Sequence, residues 1–341
     1  MSQVSGVSQY WNSPQYEGML WTADQVPGRA NNLPFLGILG GLTGANYRIV
    51  PDFDYAMSAV YDFAVPSQPD IDETDSLTAI AATSPVLSQV RNSCGIAQGT
   101  VNISYKKLST MARVATDIVA GGVGYWAKEG TPIENAIQER KSYIFKKLAR
   151  DLNYTFMNGT FQESTGVTVS GMTRGVVTAA STNATAAGSI ELNEALLQEL
   201  FADCAVNSGR QCFNSYPVMF VTAIQKYNIS KIFGYQPANW NMGGVAIDTI
   251  LTDFGTVGVV HEPMVQVDTA STDTIALLAM DAIRPVFNPV ITENGTAGLM
   301  VYEDMAKLGG GYQGFFQTHV GIDYANEKMH GKITGLTQSR I

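Results

Sequence analysis

Histidine and cysteine are scarce here, with three of each in 341 residues. Cys94, Cys204 and Cys212 form no CxxC pair, and an odd number is a poor basis for a disulfide framework, so they read as buried or idle thiols. His261, His319 and His330 have no second His or Cys at metal-ligand spacing. His261-Glu262-Pro263 begins like the zinc motif HExxH, but Pro263 and Val265 break it. There is no GxSxG nucleophile elbow. The glycine run Gly121-Gly122-Val123-Gly124 neither follows an apolar strand nor completes GxGxxG, and it lacks the Gly-Lys-Ser/Thr of a phosphate loop. Asp70, Asp72 and Asp75 fall short of a calcium loop, because Asp75 stands where the sixth-position glycine belongs and Ala81 where the twelfth-position acid belongs. No catalytic residue, cofactor-binding residue or metal ligand is therefore assigned, no cofactor is expected, and the chain is not read as an enzyme.

Long hydrophobic runs are missing too. No stretch reaches the roughly 20 apolar residues that span a bilayer, so no membrane partner is expected. The first residues lack a basic region followed by an apolar one, so no secretory signal is expected, and the chain reads as made and assembled in a cytoplasm. Without that route the Asn-x-Ser/Thr sites, such as Asn102, Asn153 and Asn294, carry little weight as glycosylation sites. A basic surplus is also lacking: 21 Lys and Arg face 30 Asp and Glu, for a net charge of −9. That argues against a whole-protein nucleic-acid binder and leaves weak, local, non-specific contact with DNA.

What is present is a large core and one conspicuous helix. With 45% hydrophobic residues the chain can bury two lobes. From Thr131 to Asn158, Thr131 is a good N-cap, Pro132 suits the first helical position and Glu134 can complete a capping box. Ile133, Ala136, Ile137, Ile144, Leu148, Leu152 and Phe156 recur at three- and four-residue steps and make one apolar stripe. Asn158-Gly159 supplies a stop. At about 1.5 Å per residue the helix is roughly 40 Å long, a strut more than a pocket wall.

Around the strut the chain reads in pieces. Residues 1–46 form an arm rich in Gly, Asn, Pro and aromatics. The stretch 47–63 suggests an outgoing strand, and Val101, Ile103 and Tyr105 alternate with Asn102, Ser104 and Lys106 as a half-buried strand that could pair with it as a long hairpin. The long connection between them reads as a projecting loop. Residues 108–119 read as a short amphipathic helix, and 165–188 as short edge strands or a hinge. A helix over 193–206 and a βα unit over 218–233 follow, then strands at 245–252, 255–262 and 274–280. The last segment returns to strands at 299–302, 311–324 and 331–336. In the middle one, Gln313, Phe315, Gln317, His319 and Gly321 share a side opposite Phe316, Thr318, Val320 and Ile322.

Charge divides sharply. Residues 51–90 hold seven acidic residues, including Asp70, Asp72, Glu73 and Asp75, and no Lys or Arg. Residues 91–150 then hold ten basic residues, among them Arg140, Lys141, Lys147 and Arg150, against four acidic ones. A solvated surface explains any one cluster. The alternative is an acidic loop lying across the basic helix flank of another copy, since complementary patches set register in assembly.

The order of parts resembles the Hong Kong 97-type fold of tailed-phage major capsid proteins. Local phrases carry the same resemblance: Asn31-Asn32-Leu33-Pro34-Phe35-Leu36, Thr252 to Val257 with Val259-Val260, Arg284-Pro285, and Asn326-Glu327-Lys328 with His330 to Ile333. The resemblance implies an α+β chain with an N-terminal arm (1–46), an E-loop and flanking strands (47–108), a peripheral domain (109–190) with spine helix 131–158, an axial domain (191–295), and return strands of the peripheral domain (296–341). It further implies a shell subunit forming pentamers and hexamers around phage double-stranded DNA in the virion capsid, with a separate scaffolding protein and a portal protein as partners. A nanocompartment shell of the same fold is the alternative within this class. A virion-associated hydrolase or carbohydrate-binding protein is the alternative outside it.

Overall fold

The computed structural model describes residues 33–339 apart from 42–45, 58–59, 63–67, 69–71, 78–85, 107–131, 166–167, 234–235, 243–244, 266–271, 293–294, 296 and 307–308. The alternation at Val101 and Ile103 produces a strand, Gly95–Ser104, in which those two side chains are buried and Asn102 and Ser104 are exposed. Its partner is the 13-residue central strand Gly311–Asp323, paired antiparallel from Gly311↔Ser104 to Val320↔Gly95. Along its other edge the central strand pairs with Met300–Asp304 and then Arg284–Asn288, and Arg48–Ile49 joins the latter in parallel. These five strands make one sheet.

The long helix Pro132–Asn158 covers one face of that sheet. Val101, Ile103, Ile137, Ile144, Tyr312 and Phe316 form a small apolar cluster beneath it. Gly99 permits the approach, because a Cβ there would stand 2.5 Å from Ile144 Cγ2. Farther along, Leu148, Leu152, Phe156 and Met157 enter the main core. The helix stops as Asn158-Gly159 predicts, and Gly175 docks on its end: its N–H donates to Gly159 O at 2.9 Å, and a Cβ would lie 2.4 Å from Met157 O. The capping box at Thr131, the short helix expected at 108–119 and the glycine run lie outside the described residues. On the sheet's opposite face Gln98, Thr100 and Asn102 are exposed, and Gln313, Phe315 and Gln317 are half-buried.

A second sheet has seven strands in the order Ala184–Ala186, Gly331–Thr337, Thr272–Ala279, Pro217–Val221, Gly255–His261, Val245–Thr252 and Gln236–Met242. Every residue of Pro217–Val221 is buried, as a strand covered on both faces requires. Met219 and Val221 face a core made with the helices Glu194–Asn207 and Ala223–Phe233. Asn193 caps the first of these helices by accepting from Leu196 N–H at 2.9 Å. Val218 and Phe220 belong instead to the main core, with Leu152, Phe156, Phe287, Val320 and Ile322. That core fills the space between the two sheets and the long helix.

Three placements differ from the sequence reading. The outgoing strand does not pair with 101–107. Its pieces Asp54–Ala56 and Val60–Asp62 pair with Arg91–Ser93 and Val86–Ser88, so the hairpin closes one strand earlier. The alternating strand is thereby free to pair with a segment more than 200 residues later. The closing strand Gly331–Thr337, read as returning beside the helix, pairs with Thr272–Ala279 in the seven-stranded sheet. Arg284–Asn288, read with the axial lobe, lies in the five-stranded sheet. The chain thus crosses between sheets more often than a single insertion would require.

Candidate assembly surfaces

The acidic set lies in the connection between the paired strands Val60–Asp62 and Val86–Ser88. Glu73–Ser76 forms one helical turn closed by Ser76 Oγ donating to Glu73 O at 2.8 Å. Asp72 and Glu73 are exposed, Asp75 lies within the turn, and Asp70 lies outside the described residues. Leu77, beside the turn, is 86% exposed, a rare position for so large an apolar side chain.

The basic set lies along the long helix but is not uniform. Lys147 is exposed, whereas Arg140, Lys141 and Arg150 are half-buried. Lys141 has a partner in its own chain: Nζ sits 3.9 Å from the Tyr302 ring centroid and 5.7 Å from that of Tyr312. The two tyrosine hydroxyls bond to one another, and Tyr312 donates to Asp304 Oδ1 at 2.8 Å. Burial, with the Tyr302 and Asp304 groups, pushes the Tyr312 phenol well above its usual range. Lys141 therefore ties the helix to the sheet, and Lys147 is the exposed cation of the set. Exposed Tyr143 and Tyr154 share that outward side, since positions 143, 147, 150 and 154 recur at helical spacing.

Several buried polar nodes escaped the sequence reading. Asp323, fully buried, accepts from Arg284 Nε and Nη2 at 3.2 and 3.0 Å and faces Arg48 at 3.5 Å. His330, also fully buried, accepts from Ala279 N–H at Nδ1 (3.2 Å), so Nε2 carries the proton and donates to Tyr324 O at 2.9 Å. Burial lowers its pKa to about 4.

Glu262 is the third node. Its Oε2 accepts from Phe35 N–H at 3.1 Å, and Oε1 accepts from Met264 N–H at 3.1 Å and Asn153 Nδ2 at 3.3 Å. Asn153 Oδ1 in turn accepts from Leu36 N–H at 3.1 Å. Burial raises the Glu262 carboxyl above its ordinary value, against the opposing pull of these donors. The broken HExxH phrase is thus a structural node. Nothing local in His-Glu-Pro signals it, because its partners lie 109 and 227 residues away.

Among the described residues no group of three or more His, Cys, Asp or Glu is placed to hold a metal, and no helix is long and apolar enough to cross a membrane. The cysteines are buried, and burial pushes the Cys94 thiol up to about 12.

Comparison with known proteins locates this architecture. Residues 10–337 match the family model described as SU10 major capsid protein. Among solved structures, the capsid of a native GTA particle superposes with a TM-score of 0.55 at 13% identity, covering 99% of both chains. The cyanophage A-1(L) capsid gives 0.54 at 13% identity over 89% of this chain and 92% of the other. The SrpI encapsulin of Synechococcus elongatus PCC 7942 gives 0.51 at 9% identity over 86% of each. These likenesses show a Hong Kong 97-type capsid fold. A comparison with curated proteins finds no match.

Proposed function

Because the chain belongs to the SU10 major capsid protein family, we propose that it is the head protein of a phage, assembling as pentamers and hexamers into an icosahedral shell around double-stranded DNA. The observation that carries this reading is the extent of the family match, from residue 10 to residue 337, which takes in hairpin, long helix and both sheets. Its role is structural and not catalytic. The hairpin's acidic turn, with Asp70, Asp72, Glu73 and Asp75, lies across the outward basic side of a neighbour's long helix, at Arg140, Lys147 and Arg150. The sign difference between the two elements supports this pairing. A separate scaffolding protein directs assembly in the host cytoplasm, a portal protein occupies one vertex, and DNA meets the shell weakly and without sequence preference, as a net charge of −9 requires.

The encapsulin likeness supports a second reading, a nanocompartment shell of the same fold. Electron microscopy of the expressed chain, alone and with a co-expressed scaffold candidate, tests the shell itself. Capsomers or closed particles are expected, and soluble monomers under every condition would overturn the proposal. Nuclease-protected DNA inside particles purified from infected cells supports the phage head, and a protein cargo without DNA supports the nanocompartment.

A further inference from the structure

The short helix Pro34–Ile38 begins without a cap of its own. Its N-cap residue, Leu33, has no side chain that can accept a hydrogen bond, and none caps the helix locally. Phe35 N–H and Leu36 N–H are first-turn donors that have no partner within a helix. Both are nevertheless satisfied, by Glu262 Oε2 and Asn153 Oδ1 at 3.1 Å each. The two acceptors come from different layers. Glu262 follows the strand Gly255–His261 of the seven-stranded sheet, and Asn153 lies on the long helix that covers the five-stranded one. They are joined to each other through Asn153 Nδ2 and Glu262 Oε1.

Below this polar pair Phe35 is completely buried, edge-on to Phe220 with ring centroids 5.4 Å apart. Both acceptors are fully buried as well. A buried carboxylate held only by N–H donors is costly unless every donor stays in place. The apolar plug and the polar cap therefore depend on the same 33–39 segment.

We propose that Asn153 and Glu262 form a clasp that fixes the 33–39 segment at the junction of the two sheets, and that an intact clasp is needed for shell assembly. Phe35 supplies most of the docking energy. The clasp supplies orientation, because two successive backbone N–H groups aimed at two fixed oxygens set the helix axis. The two acceptors are positioning residues for assembly, and only the assembly part of the claim rests on the capsid reading.

The test uses the full chain before assembly. In Glu262→Gln and Asn153→Ala, amide hydrogen exchange at Phe35 and Leu36 is expected to rise about tenfold, the loss of roughly one charge-assisted or buried hydrogen bond. Exchange in Thr272–Ala279 and Gly311–Asp323 is expected to stay as in the natural chain. Particle yield with a scaffold is expected to fall in both variants, while Glu262→Asp, which keeps both carboxylate oxygens and the charge, is expected to recover part of it. Unchanged exchange at 35 and 36 overturns the clasp. So does an equal rise across both core strands, which would make the pair a general stabiliser. If exchange rises locally and particles form normally, the clasp's part in assembly is overturned while the capsid reading stands.

Discussion

Pro217–Val221 and Gly311–Asp323 are both central strands, yet they meet their surroundings differently. The first buries all five residues, with Met219 and Val221 against two helices and Val218 and Phe220 against the main core. In the second, Gln313, Phe315 and Gln317 remain half-buried on a face that the long helix does not cover. The first strand is covered on both faces within the subunit. The second leaves one face uncovered by the helix, and the hairpin runs between two strands of its sheet, Arg48–Ile49 and Gly95–Ser104.

The comparison breaks most readily at its cores. Phe220→Ala, at a site buried on both sides, is expected to cost about 3–5 kcal/mol in urea unfolding of the unassembled chain, and Phe316→Ala, half-buried under the helix, about 1–2 kcal/mol. Equal losses would erase the distinction between the sheets.

Acid should act next, and on the seven-stranded side. His330 has its folded pKa lowered to about 4 from 6.5, so above 6.5 it is neutral in both states and favours neither. As pH falls from 6.5 to 4 the unfolded chain takes up a proton that the folded chain refuses, and about 3 kcal/mol of stability is lost over that window. Urea midpoints at pH 7 and pH 4 measure it. A chain in which His330→Gln leaves the acid slope unaltered would rule out this histidine as its source.

Smaller effects belong to the five-stranded side. Lys141→Ala removes the cation from the Tyr302 face and is expected to cost about 0.5–1 kcal/mol, read as a lowered urea midpoint. Asp72→Asn with Glu73→Gln should change unassembled stability by less than about 0.5 kcal/mol while lowering particle yield and flattening its salt dependence. A stability loss matching that of Phe316→Ala would place those acids in the fold and not at an interface.

The long helix, the paired strands at 245–252 and 255–261 and the doubly buried 217–221 were legible because each is specified by its own local pattern. Pairing was not. Val101 and Ile103 announce a strand, but its partner lies more than 200 residues on, and the nearer candidate at 47–63 competes for it on paper. The true return limb, 86–93, carries Ser, Gln, Arg and Asn with little alternation to advertise it. Of the candidate interface, the charge blocks were visible as composition. Lys141's engagement with Tyr302 was not, since it joins residues 161 positions apart. Glu262 and Asn153 were hidden for the same reason, Glu262 reading only as part of a broken zinc motif and Asn153 only as one of several Asn-x-Ser/Thr sites.

Charge exchange tests most directly the claim that hairpin and helix meet between copies. Asp72→Lys with Glu73→Lys is expected to abolish particles, as is Arg140→Glu with Lys147→Glu, and the four substitutions combined in one chain are expected to restore them at low salt. Normal particles from either double variant, or a combined variant that stays unassembled although folded, would contradict the pairing.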